Sequence, residues 1–335
     1  MKLLLFLLPF LAASLSFGQL RYKGEVEIAA SPSLVSVNEV VTDSFGVSLR
    51  GHLEVDYELD SVDFRLVLDP AVSLSGSSPD SALVQYGLTE LFARYSLGNL
   101  ELSAGLERLP LETARLSAPF RLEPVGNLGQ PLGLLSARAT LFTSDWRIRP
   151  ALIYRVQDEQ LGGVVSVRRE FSSFDLEVHT LYLDSFSAGL GGSGLIGDIV
   201  VYGEAWLLTD PWGVRGALGL SGYWGALLWT AEAAYAADPL DTDLDLEGSL
   251  FNVSNAYPQV LGQFSLPQGD AGSFELNASL GLVDSVVEDS STLQALGSLF
   301  YTHLESDYGL AVGPTFSHSE LATVYGLQLG LTSFF

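Results

Sequence analysis

From Leu20 onward, apolar side chains recur at every second position, and no stretch of comparable length keeps a helical 3.6-residue period. Between residues 47 and 59, Val47, Leu49, Leu53, Val55, Tyr57 and Leu59 fall on one face. Ser48, Arg50, His52, Glu54, Asp56 and Glu58 fall on the other. Residues 274–282 divide the same way, with Phe274, Leu276, Leu280 and Leu282 against Glu275, Asn277 and Ser279. The chain is therefore all-β. A soluble sandwich also alternates, but its apolar faces must meet around one core, and about 316 residues without a linker or a shift in composition are too many for one sandwich. A closed antiparallel barrel with its apolar face in lipid and its polar face around a lumen accounts for the whole pattern.

Turn positions fix the strand count. Short breaks fall near Asp60-Ser61, Gly98-Asn99, 143–145, 170–173, Gly197-Asp198, 223–225, 267–271 and Glu305-Ser306. They alternate with connections near 31–44, 69–81, 109–133, 157–160, Asp184-Ser185, 209–211, 237–256, 284–291 and 317–320. Both ends then lie on the side of the short turns, as in bacterial outer-membrane barrels. The count is 18 strands. It falls to 16 if the glycine-rich stretch 184–197 and one further weak strand are loop.

Met1-Lys2, the apolar run 3–11 and the small residues Ser16 and Gly18 read as a secretory signal peptide over 1–18, cut before Gln19. The barrel then spans 19–335 and lies beyond the inner membrane. The formal charge of −24 excludes a nucleic-acid partner. The absence of cysteine removes disulfides and cysteine chemistry, and four histidines leave little for a metal site. No cofactor or metal is expected. Gly191-Gly192-Ser193-Gly194-Leu195 approaches a hydrolase nucleophile elbow but has Leu195 where glycine is required, and phosphate-loop, dinucleotide and zinc-protease motifs are missing.

The final strand sets Tyr325, Leu327, Leu329 and Leu331 on one face and Gly326, Gln328, Gly330 and Thr332 on the other, and ends on Phe335. This ending resembles the signature of Gram-negative outer-membrane β-barrels. The resemblance implies that Phe335 is read by the barrel-assembly machinery. A looser similarity to porin-like barrels lies in 104–125, carried by Gly105, Arg108, Leu109, Thr113, Arg115, Leu116, Pro119 and Leu122. Glu107, Glu112, Ala114 and Arg121 depart from that pattern. It implies an ordered loop.

Charge is distributed unevenly. Ten of the fourteen arginines lie between Arg94 and Arg169, whereas Gly216 to Phe335 holds no Lys or Arg and fourteen Asp and Glu. Alternation places Arg138, Arg147, Arg149, Arg155 and Arg168 on the polar face, a basic wall across the lumen from Glu275. The longest connection, 109–133, carries Glu112, Arg115 and Arg121 among Leu, Phe and Pro residues, and is expected to fold inward and narrow the passage. Arginines in a lumen are also structural partners of carboxylates such as Glu54, Asp56, Glu90, Glu101 and Asp175. His179 lies on the polar face as a hydrogen-bonding residue. The acidic run Asp238, Asp241, Asp243, Asp245 and Glu247 lacks the sixth-position glycine and twelfth-position acid of a calcium loop and reads as a solvated outer loop, with divalent bridging to surface glycolipid as the alternative.

These readings converge on a porin-like outer-membrane channel for passive diffusion of small hydrophilic solutes, not an enzyme. Its other partners are membrane lipid and conceivably further copies of itself. The competing reading is a structural or adhesive barrel without an open pore.

Overall fold

The structure, a computed structural model, describes residues 19–37, 40–75, 82–85, 87–109, 111, 116, 133–156, 159–210, 212–236, 256–268, 271–285, 290–305, 308–318 and 323–334. Twenty β-segments build one sheet: β1 (Gln19–Val37), β2 (Val40–Leu59), β3 (Val62–Leu68), β4 (Ala71–Ser75), β5 (Ala82–Gln85), β6 (Leu88–Leu97), β7 (Leu100–Glu107), β8 (Leu134–Phe142), β9 (Trp146–Arg155) and β10 (Gln160–Glu170). The second half continues with β11 (Phe174–Leu183), β12 (Ser185–Ile196), β13 (Ile199–Thr209), β14 (Trp212–Trp224), β15 (Leu227–Ala236), β16 (Ala256–Gln268), β17 (Gly272–Ser285), β18 (Ser290–Leu304), β19 (Tyr308–His318) and β20 (Thr323–Phe334).

Each barrel strand pairs antiparallel with its neighbours in sequence, and β1 pairs with β20, so the sheet closes on itself. The segments β3 and β4 both pair with β2, while β6 pairs with β3 and β5 with β4. Each couple is one strand interrupted once, which makes 18 strands, as the turn positions predict. The interruption sits at Asp69-Pro70, because proline has no N–H for the ladder. Asp69 N donates to Gly87 O at 2.6 Å across the kink. A Cβ on Gly87 would lie 2.4 Å from the Asp69 carbonyl oxygen, so only glycine fits that approach.

The distribution of side chains is inverted relative to a soluble protein. Leu152, Leu161, Leu190, Leu218 and Val260 point outward and are exposed, whereas Ser103, Thr140, Ser166, His179, Glu204, Glu232, Gln259 and Asn277 point inward and are buried. Such an apolar jacket around a polar interior suits hydrocarbon as solvent, where a closed sheet pairs its backbone groups between strands. Aromatic side chains gather at both rims. Tyr57 stacks on Phe64 and Phe171 on Phe174 near the short turns, and Phe316 packs against Tyr325 at the other end.

Two expectations are corrected. The connection placed at 31–44 is mostly strand: β1 and β2 stay in register out to Val37 opposite Val40, and β1 pairs with β20 as far as Ser36. The β-branched run Val35, Val37, Val40, Val41 and Thr42 sustains pairing where Ser31, Pro32 and Ser33 suggest a loop. The break expected at 223–225 is shorter, with β14 continuing through Trp224. The glycine-rich stretch is strand β12.

Candidate functional site

Inward residues of β9 to β13 fall into two tiers. Toward the short turns they are Arg147, Arg149, Ser166, Arg168, Glu170, Asp175, Glu177 and His179. Toward the longer connections they are Ala151, Ile153, Val164, Leu181, Trp206 and Leu208, which form one buried cluster with Leu109, Leu111 and Leu134. The chain leaving β7 therefore folds onto an apolar shelf inside the barrel. Farther along the same connection, Leu116 is buried and its backbone N–H donates to Glu232 Oε2 on β15 at 3.1 Å. Glu232 also accepts from the Tyr202 hydroxyl of β13 at 2.9 Å.

The charged tier is a lattice of ion pairs. Arg138 on β8 lies 3.1 Å from Glu107 and 3.9 Å from Glu101. Glu107, which is 2% exposed, also accepts from Ser103 at 3.1 Å and from Ser136. Arg147 pairs with Glu170 at 3.3 Å, Arg149 with Glu177, and Arg168 with Asp175 and with Glu170 at 3.7 Å. Nearer the outer rim Arg155 donates to Gln160 at 2.5 Å. His179 shares a 2.7 Å hydrogen bond with Ser166, and its ring lies flat on Trp206, centroids 5.3 Å apart and planes 11° from parallel.

A second charged group lines β2 to β7. Arg65 contacts Glu54 and Glu90, both at 2.9 Å, and Asp56 at 3.5 Å. Asp69 gathers His52 at 2.5 Å, Thr89 at 2.6 Å and Arg108 at 3.4 Å. Arg94 lies 3.5 Å from Glu101. These carboxylates screen their cations within one or two ångströms of contact, so the lumen offers guanidinium N–H groups held at fixed positions rather than free charges.

The five strand arginines singled out from sequence, Arg138, Arg147, Arg149, Arg155 and Arg168, occupy three consecutive strands and share one wall. Glu275 is on the inward face of β17. Glu112, Arg115, Arg121 and Phe335 lie outside the described residues, as does the acidic run 238–247. Sequence reading missed Glu107, Glu177, Glu232, Tyr202 and Trp206. Parity carries the signal for most of them, since Glu177 shares its face with His179, and Glu107 with Ser103. The Arg65 network was legible only as scattered carboxylates.

No protein-family profile matches the sequence, and no curated protein does either. The fold, by contrast, has many counterparts among solved structures. Pseudomonas aeruginosa OpdQ superposes with a TM-score of 0.66 at 8% identity, covering 94% of this chain and 98% of that one. OccK11 (OpdR) from the same organism gives 0.63 at 11% identity, covering 93% and 95%. OccK2 (OpdF), solved in complex with glucuronate, gives 0.61 at 10% identity, covering 93% and 97%. The chain has the fold of the 18-stranded outer-membrane porins.

Proposed function

We propose that this protein is a porin-like channel of the outer membrane, delivered there after removal of residues 1–18, through which small hydrophilic solutes pass by diffusion. The reading is supported by the inward arginines of β8 to β10 together with Leu109, Leu111 and Leu116, the described residues at the start of the 109–133 connection, which pack inside the barrel. Rings or walls of charge set selectivity only where the passage is narrow. The Leu116 attachment to Glu232 supports such a narrowing, and the fixed guanidinium donors of Arg138, Arg149 and Arg168 suit solutes bearing oxyanions and hydroxyls. A sugar carboxylate is the ligand seen in the OccK2 structure, and this chemistry extends naturally to the arginine wall here.

The test is single-channel conductance of purified protein in planar bilayers, followed by competition with glucuronate. Discrete ohmic steps that glucuronate blocks from one side support the proposal. Barrels that insert without conducting support the rival reading, in which Leu109, Leu111 and their shelf close the lumen.

A further inference from the structure

The outer wall holds one feature that a lipid-facing surface does not require. Of the lysines and arginines in the described strands, alternation sets all but one toward the lumen. The exception is Arg169 on β10. Its neighbours Arg168 and Glu170 face inward, and its cross-strand partner is Trp146, whose indole is 42% exposed on the outer face. The guanidinium carbon lies 4.9 Å from the Trp146 ring centroid and 4.6 Å from that of Phe171. Phe171 in turn stacks on Phe174 at 4.2 Å. Among the described residues no carboxylate pairs with Arg169, and its Nε is buried without a hydrogen-bond partner.

The position is at the rim of the short turns 143–145 and 171–173, where a barrel meets the headgroups of the periplasmic leaflet. Directly inward along the same two strands, beyond Ile148 and Val167, the apolar jacket is hollowed. Ala137, Ala139, Pro150, Leu152 and Gly163 line a depression of about 570 Å³. Small side chains create it, and Pro150 opens the β8–β9 ladder beside it, where pairing skips from Arg138–Ala151 to Leu141–Ile148. Arg169 to Val165 is four residues, or roughly 14 Å at about 3.4 Å per residue. A cation at headgroup level above a hydrocarbon-sized groove has the arrangement of one phospholipid.

We propose that Arg169, held between Trp146 and Phe171, binds the phosphate of one anionic phospholipid whose acyl chain lies in the depression lined by Ala139, Pro150 and Gly163. The site rests on the barrel standing in a membrane and is independent of whether the lumen conducts. A cation held over aromatic faces cannot be neutralised by them, and its free N–H groups suit a phosphate oxygen.

The experiment is native mass spectrometry of the delipidated, refolded barrel titrated with phosphatidylglycerol or phosphatidylcholine of matched chains. Parent barrel should retain one phosphatidylglycerol about tenfold better than phosphatidylcholine. R169Q should erase that preference and R169K should keep part of it. A139L, which fills the depression, should weaken retention of both lipids. Heat-modifiable migration checks that each variant is folded. Equal retention of the two lipids by the parent, or an unchanged preference in R169Q, overturns the proposal. So does displacement of lipid by a second copy of the barrel, which would make the depression a subunit contact. Conductance measured on the same variants separates failure of this site from failure of the channel reading.

Discussion

Arg149 on β9 reaches across β10 and sets its guanidinium on the carboxylate of Glu177 on β11. Both side chains are mostly buried, at 17% and 14% exposure, so neither charge is well served by water. The wall is thus a coupled array in which removing one arginine also releases a carboxylate. Replacing Arg147 and Arg149 together with glutamine should shift selectivity toward cations twice over, by deleting positive charge and by releasing Glu177 and leaving Glu170 with Arg168 alone. Lumenal potentials are on the order of kT, so the cation-to-anion permeability ratio should rise by about two- to threefold. Reversal potentials in a salt gradient measure it. Adding Glu170→Gln and Glu177→Gln should return the ratio most of the way, and an unchanged preference in the arginine double variant would make these residues purely structural.

Glu232 on β15 joins Tyr202 on β13 and the chain at Leu116. Alanine at this position removes the acceptor that Glu232 gives the Leu116 N–H and the Tyr202 hydroxyl, and an orphaned buried donor costs about 1–3 kcal/mol. Glutamine retains an acceptor oxygen. Glu232→Ala should raise mean conductance and open-channel noise, and Glu232→Gln should change both much less. Identical current traces for all three proteins would show that the contact bears no part of the narrowing.

One glycine of β12, Gly189, has a structural reason in Trp206. Gly189 lies between His179 and Trp206 in the strand register, and the indole crosses it to stack on the imidazole. A Cβ at Gly189 would meet the ring carbons at 2.7 Å. Gly189→Ala should therefore lower the temperature at which the heat-modifiable band unfolds and reduce the near-ultraviolet circular dichroism of Trp206, with a cost of about 1–3 kcal/mol. Adding Trp206→Phe, which shrinks the ring, should recover part of the loss.

Phe335 follows the alternating strand β20, whose Phe334 stands opposite Glu25. Deleting Phe335 should reduce the folded fraction recovered from outer membranes several-fold while leaving refolding in detergent intact. Equal yields from membranes would dissociate the terminal aromatic from assembly.

Much of this architecture was legible in period-two alternation because a barrel repeats one decision at every residue, inside or outside. That rule placed Arg138, Arg149, Arg168, His179 and Glu275 on the lumenal face. It could not say what each would touch. The Arg149–Glu177 contact spans an intervening strand, and Glu232 meets Leu116 across the bore, so both depend on curvature and loop path that no local pattern encodes. Local composition also misled at Ser31, Pro32 and Ser33, where unbroken pairing with β2, joined by β20 again at Ser33, overrides the turn-like residues. The glycines of 184–197 look weak for a strand because the reasons for them lie on neighbouring strands: Gly189 makes room for Trp206, Gly192 for the Asp175 carbonyl and Gly194 for Phe174.

The seam where β1 meets β20 sets the order of events in folding. It joins Glu25 to Phe334 and Ser36 to Thr323, so its hydrogen bonds cannot begin to form until both ends of the sheet are present together. Contacts of such sequence separation demand the largest loop-closure entropy before they return any energy. Until closure, β1 and β20 are two open edges on an apolar ribbon, and either can accept a strand from another molecule. An unclosed sheet is thus the aggregation-prone form of this chain, and pairing at the seam is what shields it from its neighbours.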